Sequence, residues 1–346
     1  MYETFFGLTG KPFQLNPDPS FYFGSRGHKR AFAYLEYGLY QSEGFIIITG
    51  EIGAGKTTIV RSLLEQLDPQ KVVAVQLVST QLDADDMLRA VGAAFGIPVK
   101  SVDKAMLLAS LEAFLCQLAI DKKRALLVVD EAQNLAPRAI EELRMLSNFQ
   151  LGDQALLQSF LVGQPELRAM MQSKEMQQLR QRVIASYHLG PLDQGETRAY
   201  VEHRLKHVGW HEDPKFDPGC FDLIHSLTGG IPRRINTLCN RLLLAAFLAE
   251  RHVLEVADVQ AIATEIRDEL GSDAVLSTVG ANDPVDGDGQ GSPLMARLEA
   301  GRLHAHFDNV EARIDRLEKT VAAAVDLLHN LLHPDKAVKP GTPAKR

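Results

Sequence analysis

The sequence predicts an α/β fold: a core of parallel strands between helices, then an all-helical lid subdomain and a C-terminal coiled-coil helix. Three observations predict it. Short apolar, β-branched runs alternate with helical spacings as far as residue 193. The first of these runs opens into a glycine-rich loop and then a helix. From Gln194 the strand signals stop, and only helical periodicity continues.

Composition sets the outer bounds. A chain of 346 residues has room for two or three domains and a sizeable core. Apolar residues make up 45% and charged residues 23%, an ordinary soluble globular mix. The net charge of −7 counts against a chain whose main partner is nucleic acid, because duplex binding leans on phosphate neutralisation. Cys116, Cys220 and Cys239 are scattered without metal-ligand spacing and are expected to be reduced, mostly buried thiols. No basic segment followed by an apolar core marks a secretory signal at the N-terminus. The apolar run at 242–249 is far short of the ~18 residues a membrane span needs. The expected location is cytoplasmic, at most peripheral at the inner membrane.

The first 24 residues hold Phe5, Phe6, Phe13, Phe21, Tyr22 and Phe23 among prolines at 12, 17 and 19. Those prolines exclude a continuous helix, so an irregular apolar arm is expected. Two roles fit it, core filling and contact with a nucleotide base. Ser25 can cap a helix running to about residue 42, which Gly44 ends. Residues 45–49 read as a buried parallel strand. Gly50-Glu51-Ile52-Gly53-Ala54-Gly55-Lys56-Thr57 then matches G-x-x-x-x-G-K-[ST]. Glycines let backbone N–H groups close around phosphate oxygens without a Cβ in the way. Lys56 brings a charge to the β- and γ-phosphates, and the Thr57 hydroxyl can hold Mg²⁺. The helix from Thr58 points its positive end at the same phosphates. Four fixed positions match by chance in about one chain in a hundred of this length. The flanking strand and helix supply the context a true loop needs.

Residues 72–80 form the next expected strand, and helices fill 83–95 and 104–119. A polar turn leads into Ala125-Leu126-Leu127-Val128-Val129-Asp130-Glu131, an apolar strand ending in two carboxylates. Some 75 residues after a phosphate loop, that is the Walker B pattern. Asp130 would serve the Mg²⁺ shell, and Glu131 would polarise the attacking water. A helix at 137–149 and a strand at 159–163 follow. Gln164, at that strand's tip, would sit between the two motifs; it reads equally as a γ-phosphate or water contact and as a loop glutamine. Arg180 and Arg182 precede a strand at 185–189. Helices are expected at 196–208, 218–227, 233–250 and 256–270. The domains are therefore a core with its arm (1–193), a helical lid (194–270), a polar linker (271–293), a coiled-coil helix (294–333) and a tail (334–346). The coiled-coil seam runs from Leu303 and Phe307 to Leu328 and Leu331 in alternating four- and three-residue steps. It fits self-association or partner binding, and also a helix folded back on the body.

The phosphate loop, Asp130-Glu131, a polar strand tip, an arginine pair and Gly230-Ile231-Pro232-Arg233 stand in the order of an AAA+ ATPase. More specific motifs agree: Met1-Tyr2 with Phe5-Phe6-Gly7-Leu8, Pro12-Phe13, Pro17-Asp18-Pro19, Asp130-Glu131-Ala132-Gln133-Asn134-Leu135, Leu143 to Asn148, and Gly163-Gln164-Pro165-Glu166-Leu167. Over about residues 1–270 the chain resembles the secretion ATPases of the general secretion pathway protein A (ExeA) type. It most resembles their relatives encoded with exosortase (PEP-CTERM) and exopolysaccharide genes. The resemblance implies ATP and Mg²⁺ as cofactors, an oligomeric assembly, and partners in envelope export or polysaccharide assembly. It makes Arg233 the lid arginine that reads the γ-phosphate in cis and Gln164 the strand-tip sensor. It places the arginine finger for a neighbouring subunit in the region of Arg180 and Arg182, with Arg182 favoured. The linker and coiled coil depart from relatives that carry a membrane span and a peptidoglycan-binding part, so a direct cell-wall role is not expected. The rival reading is a DNA-binding regulatory ATPase of the transposition or replication-initiation kind. It would require a basic face or a further DNA-binding domain, and the acidic balance counts against it.

Overall fold

A computed structural model describes residues 1–270 apart from 17, 42, 79–81 and 101. The chain divides into two units, Met1–Val279 and Gly280–Arg346, and every described residue belongs to the first. The expected linker, coiled-coil helix and tail lie outside the described residues, as do the last two residues of the expected second strand.

Five strands build one parallel sheet: β1 (Phe45–Gly50), β2 (Val72–Val78), β3 (Arg124–Asp130), β6 (Leu157–Gly163) and β7 (Val183–Leu189). A short hairpin, β4 (Gln150–Leu151) with β5 (Gln154–Ala155), interrupts the series. The order across the sheet is β2-β3-β6-β1-β7. β1 and β6 are buried along their whole length, as expected of inner strands covered on both faces, whereas edge strand β2 is only partly buried. The expected strands all form, within about two residues of their expected ends.

Alternation along the strands sends side chains to two cores. Ile46, Ile48, Val128 and Phe160 meet Leu35 of α2 (Arg26–Gln41) and Ile59 and Leu63 of α3 (Lys56–Gln66). Phe45, Ile47, Leu127 and Leu161 face the other side. There they meet α4 (Ala84–Ala94), α5 (Lys104–Ile120), α6 (Pro137–Leu146) and α7 (Pro165–Gln172). Ser25 caps α2 as expected: its hydroxyl accepts from the His28 N–H at 3.2 Å. Helix α7 and the single-turn α8 (Gln177–Arg180) were not anticipated from the sequence, although Pro165 and Glu166 are favourable first-turn residues.

The lid consists of α9 (Gln194–His207), α10 (Pro218–Thr228), α11 (Pro232–Leu248) and α12 (Val256–Leu270). A capping box opens α9, with Asp193 and Glu196 each satisfying a backbone N–H of the other. The lid departs from all-helical in one detail. β8 (Lys215–Phe216) pairs in parallel with β9 (Val253–Leu254). Two residues per strand are too few to leave a period in the sequence.

The N-terminal arm gives a second departure. The sequence groups it with the strand core, yet its apolar residues pack into the lid. Tyr2, Phe6, Leu8 and Phe13 join Leu205, Ile235, Leu238 and Cys239 in one cluster. The arm begins with α1 (Tyr2–Phe5), where the Tyr2 hydroxyl donates to Asn240 Oδ1 at 2.9 Å. Farther on, the Thr9 N–H donates to the Val208 carbonyl at 2.9 Å, and Arg204 Nε donates to the Pro12 carbonyl. Phe13 is 1% exposed, and burying such a side chain contributes about 1.5–3 kcal/mol. These contacts join residues 192 to 238 positions apart in the chain. Residues of the same arm, Tyr22 and Phe23 among them, line the site described next.

Candidate nucleotide-binding site

A parallel sheet places all its strand C-termini on one edge, and there the sequence motifs converge. β6 lies between β1 and β3, so Gln164 follows its end midway between the phosphate loop and Asp130-Glu131. Above this edge a cleft is lined by Gly53, Lys56 and Thr57 from the loop, Tyr22 and Phe23 from the arm, and Arg233 from the lid. The arm fills the lid core, the first of its two expected roles, and its Tyr22 and Phe23 also form a wall of the cleft.

Two glycines give the loop its shape. Gly53 has φ +81°, and a Cβ there would lie 2.2 Å from Arg233 Cβ. Gly55 has φ +99°, and a Cβ there would lie 2.6 Å from His28 Nε2. Only glycine fits both the angles and the space. The lid is bonded directly to the loop, since the Arg233 N–H donates to the Gly53 carbonyl at 3.1 Å. Lys56 Nζ folds over the loop, donating to the carbonyls of Gly50 at 2.6 Å and Glu51 at 3.0 Å. Burial pushes its ammonium below the ordinary value, against the pull of Glu131 and Asp130.

Thr57 Oγ1 donates to Asp130 Oδ2 at 2.9 Å. Burial raises the Asp130 carboxyl, partly offset by this bond and by the Glu131 N–H. Glu131 sits at φ 54° and ψ 38°, a left-handed conformation that is uncommon for a side-chain-bearing residue and recurs at functional sites. Its Oε2 accepts from Gln133 Nε2 at 2.6 Å and Gln164 Nε2 at 2.9 Å. Burial raises the Glu131 carboxyl, but these two amides and the Lys56 charge outweigh it and leave it below the ordinary value.

The structure brings Gly50 to Thr58, Asp130, Glu131, Gln164 and Arg233 to this edge. Arg180 and Arg182 are elsewhere. Arg180 Nη1 donates to the carbonyls of Met171 and Ser173, and Arg182 Nη1 donates to the Ser147 carbonyl and hydroxyl, each at 3.0 Å. Neither lines the cleft of its own chain. Arg182 borders a separate open groove with Arg144, Gln177 and Gln181.

Two further residues belong to the site that the sequence did not single out. One is Gln133. The other is His28, buried beneath the loop with Nδ1 2.7 Å from Ser25 Oγ. Burial pushes the His28 imidazole below its ordinary value, and the Ala54 backbone and the Glu196 charge only partly restore it. As pH falls, the unfolded chain therefore takes up this proton first. The stability His28 contributes is fully present above about pH 6.5 and is lost as pH falls toward the lower folded value. Wild type should lose more thermal stability than His28→Gln between about pH 7.5 and about pH 5.5. Parallel profiles for the two proteins would exclude His28 as the titrating group.

A family model described as an AAA domain matches residues 39–171. General secretion pathway protein A of Aeromonas hydrophila is 41% identical over 274 residues, covering 78% of this chain and 50% of that protein. The chain thus spans about half the length of this curated relative. Among solved structures, Cdc6p from Pyrobaculum aerophilum matches with TM-score 0.56 and 18% identity, over 76% of this chain and 71% of that one. The Aeropyrum pernix ORC1 protein, solved in complex with DNA, matches with TM-score 0.56 and 18% identity, over 75% and 70%. At that identity the likeness is one of fold. No helix among the described residues is long and apolar enough to cross a membrane. With its phosphate loop, acidic strand end and lid arginine on one cleft, and with this identity to the secretion protein, the chain carries an AAA domain and is similar to the AAA ATPases of the general secretion pathway protein A type.

Proposed function

We propose that this ATPase drives a step of protein export or exopolysaccharide assembly at the bacterial envelope, in an exosortase-linked setting. The supporting observation is the 41% identity to a secretion protein over most of the chain. Capture from the native cell with Glu131→Gln, which should hold ATP, is expected to retain envelope export or polysaccharide assembly proteins. Salt-sensitive retention of DNA, with none of those proteins, would favour the DNA-binding regulatory reading instead.

In the chemistry we assign, Lys56 and the loop N–H groups hold the β- and γ-phosphates and Arg233 senses the γ-phosphate. Glu131 takes a proton from water through Oε1, since both amides converge on Oε2. The water oxygen bonds to the γ-phosphorus, the bond to the bridging oxygen breaks, and ADP and phosphate leave. Gln164 holds the base and faces the γ-phosphate. Thr57 and Asp130 fit Mg²⁺: a hydroxyl and a carboxylate oxygen already stand 2.9 Å apart at the loop. Among the described residues no group of three His, Cys, Asp or Glu side chains could hold a metal, so the ion would arrive with the nucleotide. When bound, Mg²⁺ supplies charge that neutralises the phosphates.

Neither Arg180 nor Arg182 lines the cleft of its own chain, and in this reading they serve a neighbour's. An arginine supplied in trans can raise turnover by about 10³-fold or more. Activity per subunit should then rise with protein concentration, while Arg182→Ala binds ATP normally but stays slow. Mixing Arg182→Ala with Lys56→Ala should restore part of the activity, because the Lys56 variant still donates its arginine. Flat specific activity in a monomer of verified mass, without rescue on mixing, excludes the trans arrangement.

A further inference from the structure

We infer that Gln133 is a positioning residue for hydrolysis: its amide ties the Glu131 carboxylate to the backbone of Gln164, so that the general base and the β6 tip move as one unit. This rests on the assignment of Glu131 as the base.

The inference starts from the amide's orientation. Gln133 Oε1 lies 3.0 Å from the Gln164 backbone N–H, which can only donate. That contact fixes the oxygen toward β6 and therefore turns Nε2 toward Glu131, 2.6 Å away. Gln164 Nε2 reaches the same Oε2 at 2.9 Å, closing a ring of three hydrogen bonds through Glu131, Gln133 and Gln164. Gly163 makes room for it, since a Cβ there would lie 2.8 Å from Gln133 Oε1.

The local backbone makes the tie necessary. Glu131 directly follows β3 in a left-handed conformation, and Gln133 lies two residues on, in a one-turn helix spanning Ala132–Asn134. A lone carboxylate on such a turn has several staggered rotamers available. Two amide donors on one oxygen select one of them and leave Oε1 facing the water position. The amide also makes the coupling two-way. A displacement of Gln164 by a phosphate at the strand tip reaches Glu131 by two routes, its own side chain and the Gln133 bridge.

The test uses the full chain and two substitutions that keep the side chain's length. Gln133→Met removes both hydrogen bonds. Gln133→Glu keeps the acceptor for the Gln164 N–H but loses the donor to Glu131. Each should lower kcat about 10- to 100-fold, the scale for a misplaced catalytic group, with equilibrium ATP affinity within about threefold of wild type. In a Glu131→Gln background, Gln133→Met should add no further loss, because the two residues act as one unit. In the nucleotide-free protein, the side-chain amide proton signals of Gln133 should shift on Glu131→Ala. Wild-type kcat in Gln133→Met, a parallel loss of ATP affinity, additive losses in the double variant, or unmoved amide signals would each overturn the inference. If wild type and Glu131→Gln turn over alike, the base assignment itself falls and takes this inference with it.

Discussion

Lys56→Ala is expected to abolish ATP binding at working concentrations. Lys56 is 6% exposed and is the only cation of the phosphate loop. Its Nζ holds the Gly50 and Glu51 carbonyls, so a bound phosphate would find the ammonium already at the loop. Removing one partner of a buried, hydrogen-bonded charge pair costs about 2–5 kcal/mol, or roughly 30- to 4,000-fold in affinity. Alanine also leaves those two carbonyls without their donor. Calorimetric titration with ATP reads the change directly. Near-normal affinity would show that the phosphates are not bound at this loop.

Glu131→Gln has the opposite profile, with ATP bound and turnover lost. The variant keeps the shape of the side chain but cannot accept a proton from water. Loss of a general base costs about 100- to 10,000-fold, so turnover should fall at least ~100-fold. Binding should survive, because Lys56, Thr57 and the loop are untouched. The new side chain meets the Gln133 and Gln164 amides through its own oxygen, which fixes its rotamer rather than freeing it. Turnover and binding measured on the same preparation separate this outcome from that of Lys56→Ala. Wild-type turnover would move the catalytic role to another residue.

The parts of this architecture legible in the sequence are those whose chemistry is local. Gly50 to Thr57 declares itself because a phosphate loop needs glycine, lysine and hydroxyl at fixed spacing. The strands of the sheet are legible because burial on both faces demands unbroken apolar runs, as at Phe45 to Ile48 and Leu126 to Val129. The ends of α2 are legible from Ser25 and Gly44, whose cap and positive φ are local events.

What the sequence hid depends on contacts between distant residues. Nothing near Pro12 marks it as a partner of Arg204, and nothing near His28 marks it as the support of Gly55. The docking of the arm on the lid therefore emerged only from the fold. Gln133 was visible within its motif, but its role needs the Gln164 backbone, 31 residues away, to orient the amide. The short pairing of Lys215–Phe216 with Val253–Leu254 is hidden for a different reason, since two residues carry no period. Helix α7 was within reach of the sequence, because Pro165 at its first turn and Glu166 beside it are ordinary helix-start signals.

Steady-state phosphate release by the full chain, with ATP and magnesium supplied and Glu131→Gln run beside it, tests the assigned chemistry most directly. The expected result is sustained release by wild type and a rate at least ~100-fold lower in the variant. Equal release from the two proteins, or none from wild type across a wide range of protein concentration, would contradict an ATPase centred on Glu131.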